Sequence, residues 1–368
     1  MTTTARSLGP IRLRRQGLWS PTAPDATTVL GALAAMQGQE FAYALWALAQ
    51  RVRPADRPSQ ADMLAAFDRG DILRTHVLRP TWHLVLPQDI RSLLRLTTPR
   101  LRKQLAFYDR QLGLDRAELD RSQRVLAAQV ADGRHRTRRE LAGALKAAGV
   151  EASGQRLGHL MMHAEFDEVL ISGAMAGKQQ TYAAFEERVP ADERPVDPSI
   201  DTGAALAALA GRYVATRAPV TAKDFAAWAS LTVTQARAGL ETAGCVREKL
   251  DDLTLYRPPN GGPDRTAAAR SPRVDLLQGY DEMIMSYGES RGAIIPDGAA
   301  LPVLNWDNYL HAVMIDGILA GHWRHQIAAN DAVVQVQPIR PWSAAERRAV
   351  AAAVADYGRY LDLPTTLE

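Results

Sequence analysis

The pattern of apolar and polar positions in the first ninety residues predicts three short helices followed by a β-hairpin. The helices span residues 26–36, 40–51 and 60–71, and the hairpin spans residues 75–85. Asp25 and Ser59 are suitable N-caps for the first and third helices, and Gly38 interrupts the chain before the second because glycine weakens a helix interior. This is the element order of a winged helix-turn-helix unit. Residues 1–23 lack periodicity and are predicted to form an arm.

The same element order recurs twice further along the chain. A long basic helix is predicted over 89–111, and Thr137 with Glu140 has the spacing of a capping box. The second unit continues with helices at 138–148 and 158–166 and strands at 169–172 and 180–182. The third unit has helices at 204–216, after Thr221 and at 232–243, with strands at 245–247 and 254–256. Prolines at 190–198 predict a linker, and the Gly/Pro-rich residues 258–272 predict a boundary.

The last hundred residues have a different pattern, in which strands are more prominent. Asp316-Gly317 lies between apolar runs within 310–323 and is the strongest short hairpin signal in the chain. Residues 333–336 predict a further strand, and Ser343 caps a closing helix. The predicted fold class is therefore mainly α with small β wings (α+β): three tandem winged helix-turn-helix units and a C-terminal β-containing domain. The predicted divisions are 1–112 (arm, first unit and basic helix), 113–197, 198–262 and 263–368.

Composition excludes several classes of protein. The 368 residues are 46% hydrophobic and 23% charged, which is ordinary for a globular chain and excludes a disordered or fibrous one. No uncharged apolar run reaches the roughly 18 residues of a membrane span, and the first residues lack the apolar stretch of a secretion signal. The single Cys245 excludes an internal disulfide and a multi-cysteine metal site. We therefore expect a cytoplasmic protein with no membrane partner.

Charge is divided unevenly along the chain. Residues 1–150 carry 24 Lys and Arg against 13 Asp and Glu, whereas residues 151–368 carry 20 against 28. Of the 44 basic residues, 39 are arginine, whose planar fork suits phosphates and base edges. GC-rich coding explains the choice of arginine over lysine but not its one-sided placement. The asymmetry predicts a nucleic-acid partner for the N-terminal half.

Four short motifs follow one another along the chain. They are Met36-Gln37-Gly38-Gln39-Glu40; Arg74 with Leu78-Arg79-Pro80-Thr81-Trp82-His83-Leu84; Leu276-Leu277-Gln278-Gly279-Tyr280-Asp281-Glu282; and Ile315-Asp316-Gly317 with Gly321-His322-Trp323-Arg324. In this order they resemble the bacterial winged-helix DNA glycosylases of the AlkZ/YcaQ type, over nearly the full length of the chain. Gln-x-Gln in place of Gln-x-Asp is similar to the AlkZ branch, which acts on interstrand crosslinks. Gly38 departs from the family, which usually has an aliphatic residue there.

The resemblance implies that Gln37 and Gln39 are the catalytic residues of a DNA glycosylase. By itself Gln-x-Gln is a weak signal, because residues two apart point about 200° apart on a helix and converge only where the backbone leaves it. The implied chemistry suits glutamine, since a purine alkylated at N7 is cationic and already an activated leaving group. An amide oxygen then has only to place a water beside C1′ and stabilise the oxocarbenium-like sugar.

The resemblance also implies the substrate and the setting of the reaction. The partner is double-stranded DNA at the nucleoid, carrying N7-alkylated purines that include bulky adducts or interstrand crosslinks. The biological role is base excision repair or self-resistance to a DNA-alkylating natural product. A monofunctional mechanism is expected because no lysine lies near Gln37 in the sequence to form a Schiff base. No cofactor, metal or obligate protein partner is expected.

Two pairs of polar residues each allow two interpretations. His159 and His163 have the i, i+4 spacing of metal ligands on a helix, but the glutamate of the metalloprotease motif is missing. Packing or phosphate contact is therefore the stronger interpretation of the histidines. Asp281 and Glu282 form either an acid–base pair or a structural turn of the chain.

Candidate DNA contacts come from basic segments and one hairpin. Arg136, Arg138 and Arg139 belong to a basic run ahead of a predicted helix, where phosphate binding is favoured over a solvated face. The other candidates are Arg79, His322, Trp323 and Arg324. For the last three, packing within a sheet is an equal alternative.

A non-catalytic winged-helix regulator of transcription is the rival function, because winged helices more often bind DNA than act on it. A regulator needs a recognition helix rich in side chains that contact base edges. The segment before the first predicted wing, residues 61–67, is poor in such side chains. The sequence therefore favours the glycosylase.

Overall fold

The structure is a computed structural model that describes residues 8–191, 201–259, 272–296 and 311–368. The predicted linker at 190–198, the predicted boundary at 258–272 and the start of the arm lie largely outside these residues. The chain folds into two compact units: Met1–Met63 with Leu206–Glu368, named the split unit, and Leu64–Ala205, named the central unit. The four-part division of the sequence stays a prediction. No helix in the described ranges is long and apolar enough to cross a membrane.

The described chain is a mixed α/β protein rich in helix. Its helices are α1 (Leu8–Arg15), α2 (Ala26–Leu33), α3 (Phe41–Ala49), α4 (Gln60–Arg69), α5 (Pro87–Gln111), α6 (Arg116–Val130), α7 (Arg138–Ala147), α8 (Gly154–Phe166), α9 (Phe185–Arg188), α10 (Asp201–Arg217), α11 (Ala222–Trp228), α12 (Val233–Thr242), α13 (Glu282–Met285) and α14 (Ala344–Leu361). Its strands are β1 (Met36–Gln37), β2 (Leu73–His76), β3 (Trp82–Val85), β4 (Arg136–Thr137), β5 (Leu170–Ser172), β6 (Thr181–Ala184), β7 (Val220–Thr221), β8 (Val246–Leu250), β9 (Leu253–Arg257), β10 (Val274–Leu277), β11 (His311–Ile315), β12 (Ile318–Ile327), β13 (Ala332–Pro338) and β14 (Thr365–Leu367).

Local side-chain chemistry determines where several helices begin, as the sequence predicts. Asp25 accepts a hydrogen bond from the Thr28 backbone N–H at 2.7 Å and caps α2. Complete capping boxes open α7 at Thr137, α11 at Thr221 and α14 at Ser343. Each cap satisfies backbone donors that the first helical turn leaves unpaired, a contribution of about 0.5–2 kcal/mol.

Small antiparallel sheets follow the helices, and a larger sheet closes the chain. The strands β5 and β6 form a hairpin in the order β4-β6-β5, and β8 and β9 form another in the order β7-β9-β8. The five-stranded sheet has the order β10-β11-β12-β13-β14, with α14 against β10 and β14. Its β11–β12 turn is the predicted Asp316-Gly317 hairpin: both residues have positive φ, 50° and 85°, as a tight primed turn requires.

Residues 8–15 form the helix α1, within the stretch 1–23 that the sequence suggested as an irregular arm. Leu8, Ile11 and Leu13 of α1 are buried, and so is Arg12, whose guanidinium donates to Pro219 O and to Ser290. A buried arginine on the apolar face breaks the pattern on which the prediction depended. The helix α6 was likewise not predicted, and α2 ends at Leu33 rather than at residue 36 because Ala34 has a φ of 69°.

Candidate active site

Gln37 and Gln39 lie in a non-helical segment between two helices. Ala34 ends α2 with a positive φ, Met36 and Gln37 are extended in β1, and α3 begins at Phe41. The geometric objection to Gln-x-Gln on a helix therefore does not apply. Gln37 is 1% exposed, whereas Gln39 is half-buried.

The main chain of Gln37 is held on both sides by side chains from the segment 278–282. Its N–H donates to Glu282 Oε1 at 3.1 Å, and its carbonyl oxygen accepts from Gln278 Nε2 at 3.1 Å. Gln278 and Glu282 have no exposed surface. The backbone of a candidate catalytic residue is thus fixed by groups about 240 positions away in the sequence, with separations of 241 and 245 residues.

Glu282 accepts four hydrogen bonds, from Gln37 and from three further groups. Its second oxygen, Oε2, accepts from Arg217 Nη2 at 2.8 Å, from Trp228 Nε1 at 2.7 Å and from Ser286 Oγ at 2.7 Å. Four donors on two oxygens match an ionised carboxylate, which has no proton to donate. Arg217 and Glu282 have no exposed side-chain surface. Glu282 is therefore a buried anchor and not a general acid.

Asp281 belongs to a second buried ion pair in the same turn. Both of its oxygens accept from Arg51, at 2.7 and 3.0 Å, in bidentate geometry, and neither side chain is exposed. Asp281 also caps α13 by accepting from the Met283 N–H at 2.8 Å. Asp281 and Glu282 are each occupied by their own arginine, so the geometry favours the structural interpretation over an acid–base pair.

An aromatic stack that the sequence did not predict follows Gln39 on α3. The Tyr43 ring stacks between His311, at a centroid distance of 3.6 Å, and His325, at 4.1 Å. Burial lowers the pKa of His311 to about 3 and that of His325 to about 4. Both imidazoles are therefore neutral at pH 7, and neither supplies an imidazolium acid. No sequence spacing indicates this cluster, because its members come from α3, β11 and β12.

The predicted DNA contacts on β12 need correction. Trp323 has no exposed surface, and its indole N–H donates to Leu277 O at 2.9 Å. His322 is 3% exposed. Both side chains pack in the sheet, which is the alternative that the sequence left open for them. Arg324 is partly exposed, donates to Gln335 Oε1 at 2.7 Å, and stays a candidate contact.

The other candidate DNA contacts lie in the central unit. Arg139 is exposed at the start of α7, while Arg136 and Arg138 are half-buried. The Glu140 carboxylate of the capping box accepts from the Thr137 N–H at 2.7 Å and therefore competes with a phosphate for the helix N-terminus. Arg79 is half-buried between β2 and β3 and donates to His83 Nε2 at 3.0 Å. Arg139 is the best placed of these four for phosphate contact.

The two histidines of α8 belong to a buried hydrogen-bonded cluster. Potential ligand atoms of Asp109, His159 and His163 lie within 4.8 Å of one another. Arg102 Nη1 is 3.1 Å from His163 Nδ1, and a guanidinium can only donate. The proton of His163 is therefore on Nε2, which lies 3.0 Å from Asp109 Oδ2. A metal on Nε2 would require a protonated Nδ1 facing a cation, so the cluster is a poor metal site.

Comparison with known proteins gives one consistent result. The family model of the AlkZ-like DNA glycosylases matches residues 30–360. An interstrand DNA cross-link repair glycosylase of Streptomyces sahachiroi is 24% identical over 339 residues, which is 89% of each chain. The solved structure of the DNA glycosylase AlkZ from S. sahachiroi superposes with a TM-score of 0.73 at 22% identity and covers all of both chains. This structural similarity shows that the two proteins share a fold.

The match to the family model identifies the class of enzyme. The chain belongs to the AlkZ-like DNA glycosylase family, because the family model covers most of its length. It is thus a hydrolase of N-glycosyl bonds whose substrate is DNA, and the regulator of transcription is not favoured.

Proposed function

We propose that this protein is a monofunctional glycosylase for cationic N7-alkylated purines, with Gln37 and Gln39 as its catalytic residues. The observation that carries the proposal is the non-helical Gln37–Gln39 segment, whose first glutamine is buried and held by two hydrogen bonds to its main chain. A held, water-poor position is what a weak catalytic dipole requires, because an amide oxygen stabilises a cation best where solvent does not compete.

The lesion supplies the leaving-group activation in this mechanism. Alkylation at N7 places a positive charge on the purine, so the glycosidic bond breaks without protonation of the base. The glutamine oxygens then stabilise the developing oxocarbenium ion and orient the water that attacks C1′. The chemistry of the surroundings supports this, since Glu282 is ionised and His311 and His325 are neutral.

We propose further that three winged helix-turn-helix units bind the duplex. The support is the repeated order of helices followed by a small antiparallel hairpin: α2, α3 and α4 before β2–β3; α6, α7 and α8 before β5–β6; and α10, α11 and α12 before β8–β9. Exposed arginines, with Arg139 as the best candidate, would neutralise phosphates. A regulator of transcription is the less favoured function.

Bulky adducts and interstrand crosslinks are the proposed range of lesions. The S. sahachiroi relative is named for interstrand cross-link repair, and the Gln-x-Gln form is shared with the AlkZ branch. Repair of alkylated DNA, or self-resistance to an alkylating natural product, is the corresponding biological role.

Cationic lesions are expected to be excised at least about tenfold faster than neutral ones, a barrier difference of about 1.4 kcal/mol or more. The reason is that uracil or 1,N6-ethenoadenine needs a proton donor, whereas Glu282 accepts hydrogen bonds on both oxygens and His311 and His325 are neutral at pH 7. The measurement is single-turnover release of base from duplexes that carry N7-methylguanine, uracil or ethenoadenine, with and without EDTA. An undamaged duplex is the control.

Comparable rates on uracil and N7-methylguanine would reveal a general acid and refute the mechanism. Loss of the reaction in EDTA would reveal a metal requirement. Absence of base release from every alkylated duplex, together with tight binding to one undamaged operator, would favour the regulator.

DNA affinity is expected to weaken steeply with salt and to vary little among undamaged sequences, because phosphate contacts release counterions. A plot of the logarithm of the DNA association constant against the logarithm of the salt concentration has a negative slope. Arg139→Gln should reduce the magnitude of that slope by about one. Arg69→Gln is the matched control, since this exposed arginine is already paired with Asp71 at 2.7 Å. The measurement is fluorescence anisotropy between low and high salt, and an equal slope change in both variants would contradict the Arg139 assignment.

A further inference from the structure

The segment before Gln278 is attached to the rest of the split unit by two indole side chains. Trp46 Nε1 donates to Leu276 O at 2.9 Å, and Trp323 Nε1 donates to Leu277 O at 2.9 Å. On the far side, the Gly279 N–H donates to His311 Nδ1 at 3.0 Å. The backbone on both sides of Gln278 is therefore fixed, and its side chain projects from a rigid base.

Gln278 uses only part of its hydrogen-bonding capacity within the described residues. Its Nε2 donates to Gln37 O at 3.1 Å, while its Oε1 is buried and has no hydrogen-bond partner there. An unsatisfied buried carbonyl lowers stability. An apolar side chain of similar volume would fill the same space without that cost, so packing alone does not account for an amide at this position.

The contact that Gln278 does make is with the main chain of a proposed catalytic residue. Holding both the N–H and the carbonyl of Gln37 restricts its backbone dihedrals, and the allowed side-chain rotamers depend on those dihedrals. Glu282 holds the N–H, and Gln278 holds the carbonyl. Small displacements of a reacting group, about 1 Å, cost up to about 100-fold in rate.

We propose that Gln278 is a positioning residue for the glycosylase reaction: its amide N–H fixes the Gln37 carbonyl and thereby the direction from which the Gln37 side chain acts. This inference rests on the proposed function of Gln37. It assigns to the motif at 276–282 a role in catalysis through the backbone, with no contact to DNA.

The test replaces Gln278 by methionine, which has a similar volume and no donor. Gln278→Met should slow single-turnover base release about tenfold, with the DNA Kd unchanged within about twofold. The control is Trp342→Phe. Trp342 is also buried in the split unit and donates one side-chain hydrogen bond, to Ala320 O at 3.0 Å. Its variant should keep the wild-type rate while losing at least as much thermal stability.

A second variant separates positioning from packing. In Gln278→Glu the introduced carboxyl occupies a position without exposed surface, and burial raises its pKa; the ion pairs Glu282–Arg217 and Asp281–Arg51 of the same turn and the neutral His311 add no net charge. Below that pKa its O–H can donate to the Gln37 carbonyl, and above it the donor is lost. The rate relative to wild type should therefore rise as pH falls from 8 to 6, whereas Gln278→Met shows no such rise. Spontaneous base loss is subtracted at each pH.

A measurement without turnover tests the contact directly. The Gln37 carbonyl and the Gly38 nitrogen belong to one peptide group, so the Gly38 amide 15N shift in glycine-labelled protein reports this hydrogen bond. Gln278→Met should move that signal and Trp342→Phe should leave it in place. An unmoved signal, or a wild-type rate of base release in Gln278→Met, overturns the inference. A wild type that releases no base overturns the proposed function instead.

Discussion

Replacing Gln37 or Gln39 by alanine should slow base release at least about tenfold, a loss of about 1.4 kcal/mol or more of transition-state stabilisation. Each substitution removes an oxygen dipole that acts on the sugar cation or on the attacking water. DNA affinity should fall much less, because binding depends on phosphate contacts elsewhere. The measurement is single-turnover excision of N7-methylguanine at saturating enzyme, beside anisotropy titrations on the same duplex.

Gln39→Glu is the matched control for the alanine variants. It keeps an acceptor oxygen at the same distance from the backbone, and half-buried Gln39 can exchange an amide for a carboxylate without burying a full charge. This variant should therefore retain more activity than Gln39→Ala. Full single-turnover activity in either alanine variant would remove that glutamine from the mechanism.

Asp281→Ala should lower the free energy of unfolding by about 3–5 kcal/mol, the usual cost of removing one partner of a buried ion pair. The pair with Arg51 has no exposed side-chain surface, so the substitution leaves a guanidinium charge buried without its counter-ion. It also removes the N-cap of α13. Urea denaturation followed by circular dichroism measures the loss.

Asp71→Ala serves as the control for that measurement. Its ion pair with Arg69 is largely exposed, at 62% and 41%, and such pairs contribute about 0–1 kcal/mol. Equal destabilisation in the two variants would mean that Asp281 and Arg51 are solvated in solution. The turn at 278–282 would then not be the rigid anchor of Gln37 described above.

The local features of this protein were predictable from its sequence because they depend on neighbours in the chain. The capping box at Thr137 and the tight turn at Asp316-Gly317 need only residues two or three positions apart. The Gln-x-Gln segment was recognisable as a motif, and its departure from helix followed from the glycine within it. The uneven distribution of charge along the chain is likewise visible without knowledge of the fold.

What the sequence could not indicate depends on contacts between distant segments. Arg12 interrupts the apolar pattern of α1, and only the tertiary structure reveals the carbonyl oxygens that satisfy it. The sequence around Trp323 does not distinguish a side chain that contacts DNA from one that packs in a core.

Asp281 and Glu282 are structural anchors because each is paired with an arginine. Arg51 lies 230 residues from Asp281, and Arg217 lies 65 residues from Glu282. The sequence by itself determined the local elements, the family motifs and the candidate glutamines. The tertiary structure alone decided which polar groups are paired, because a buried charge or amide is stable only where the fold brings its partner. For the main chain of Gln37, Gln278 and Glu282 are two such partners.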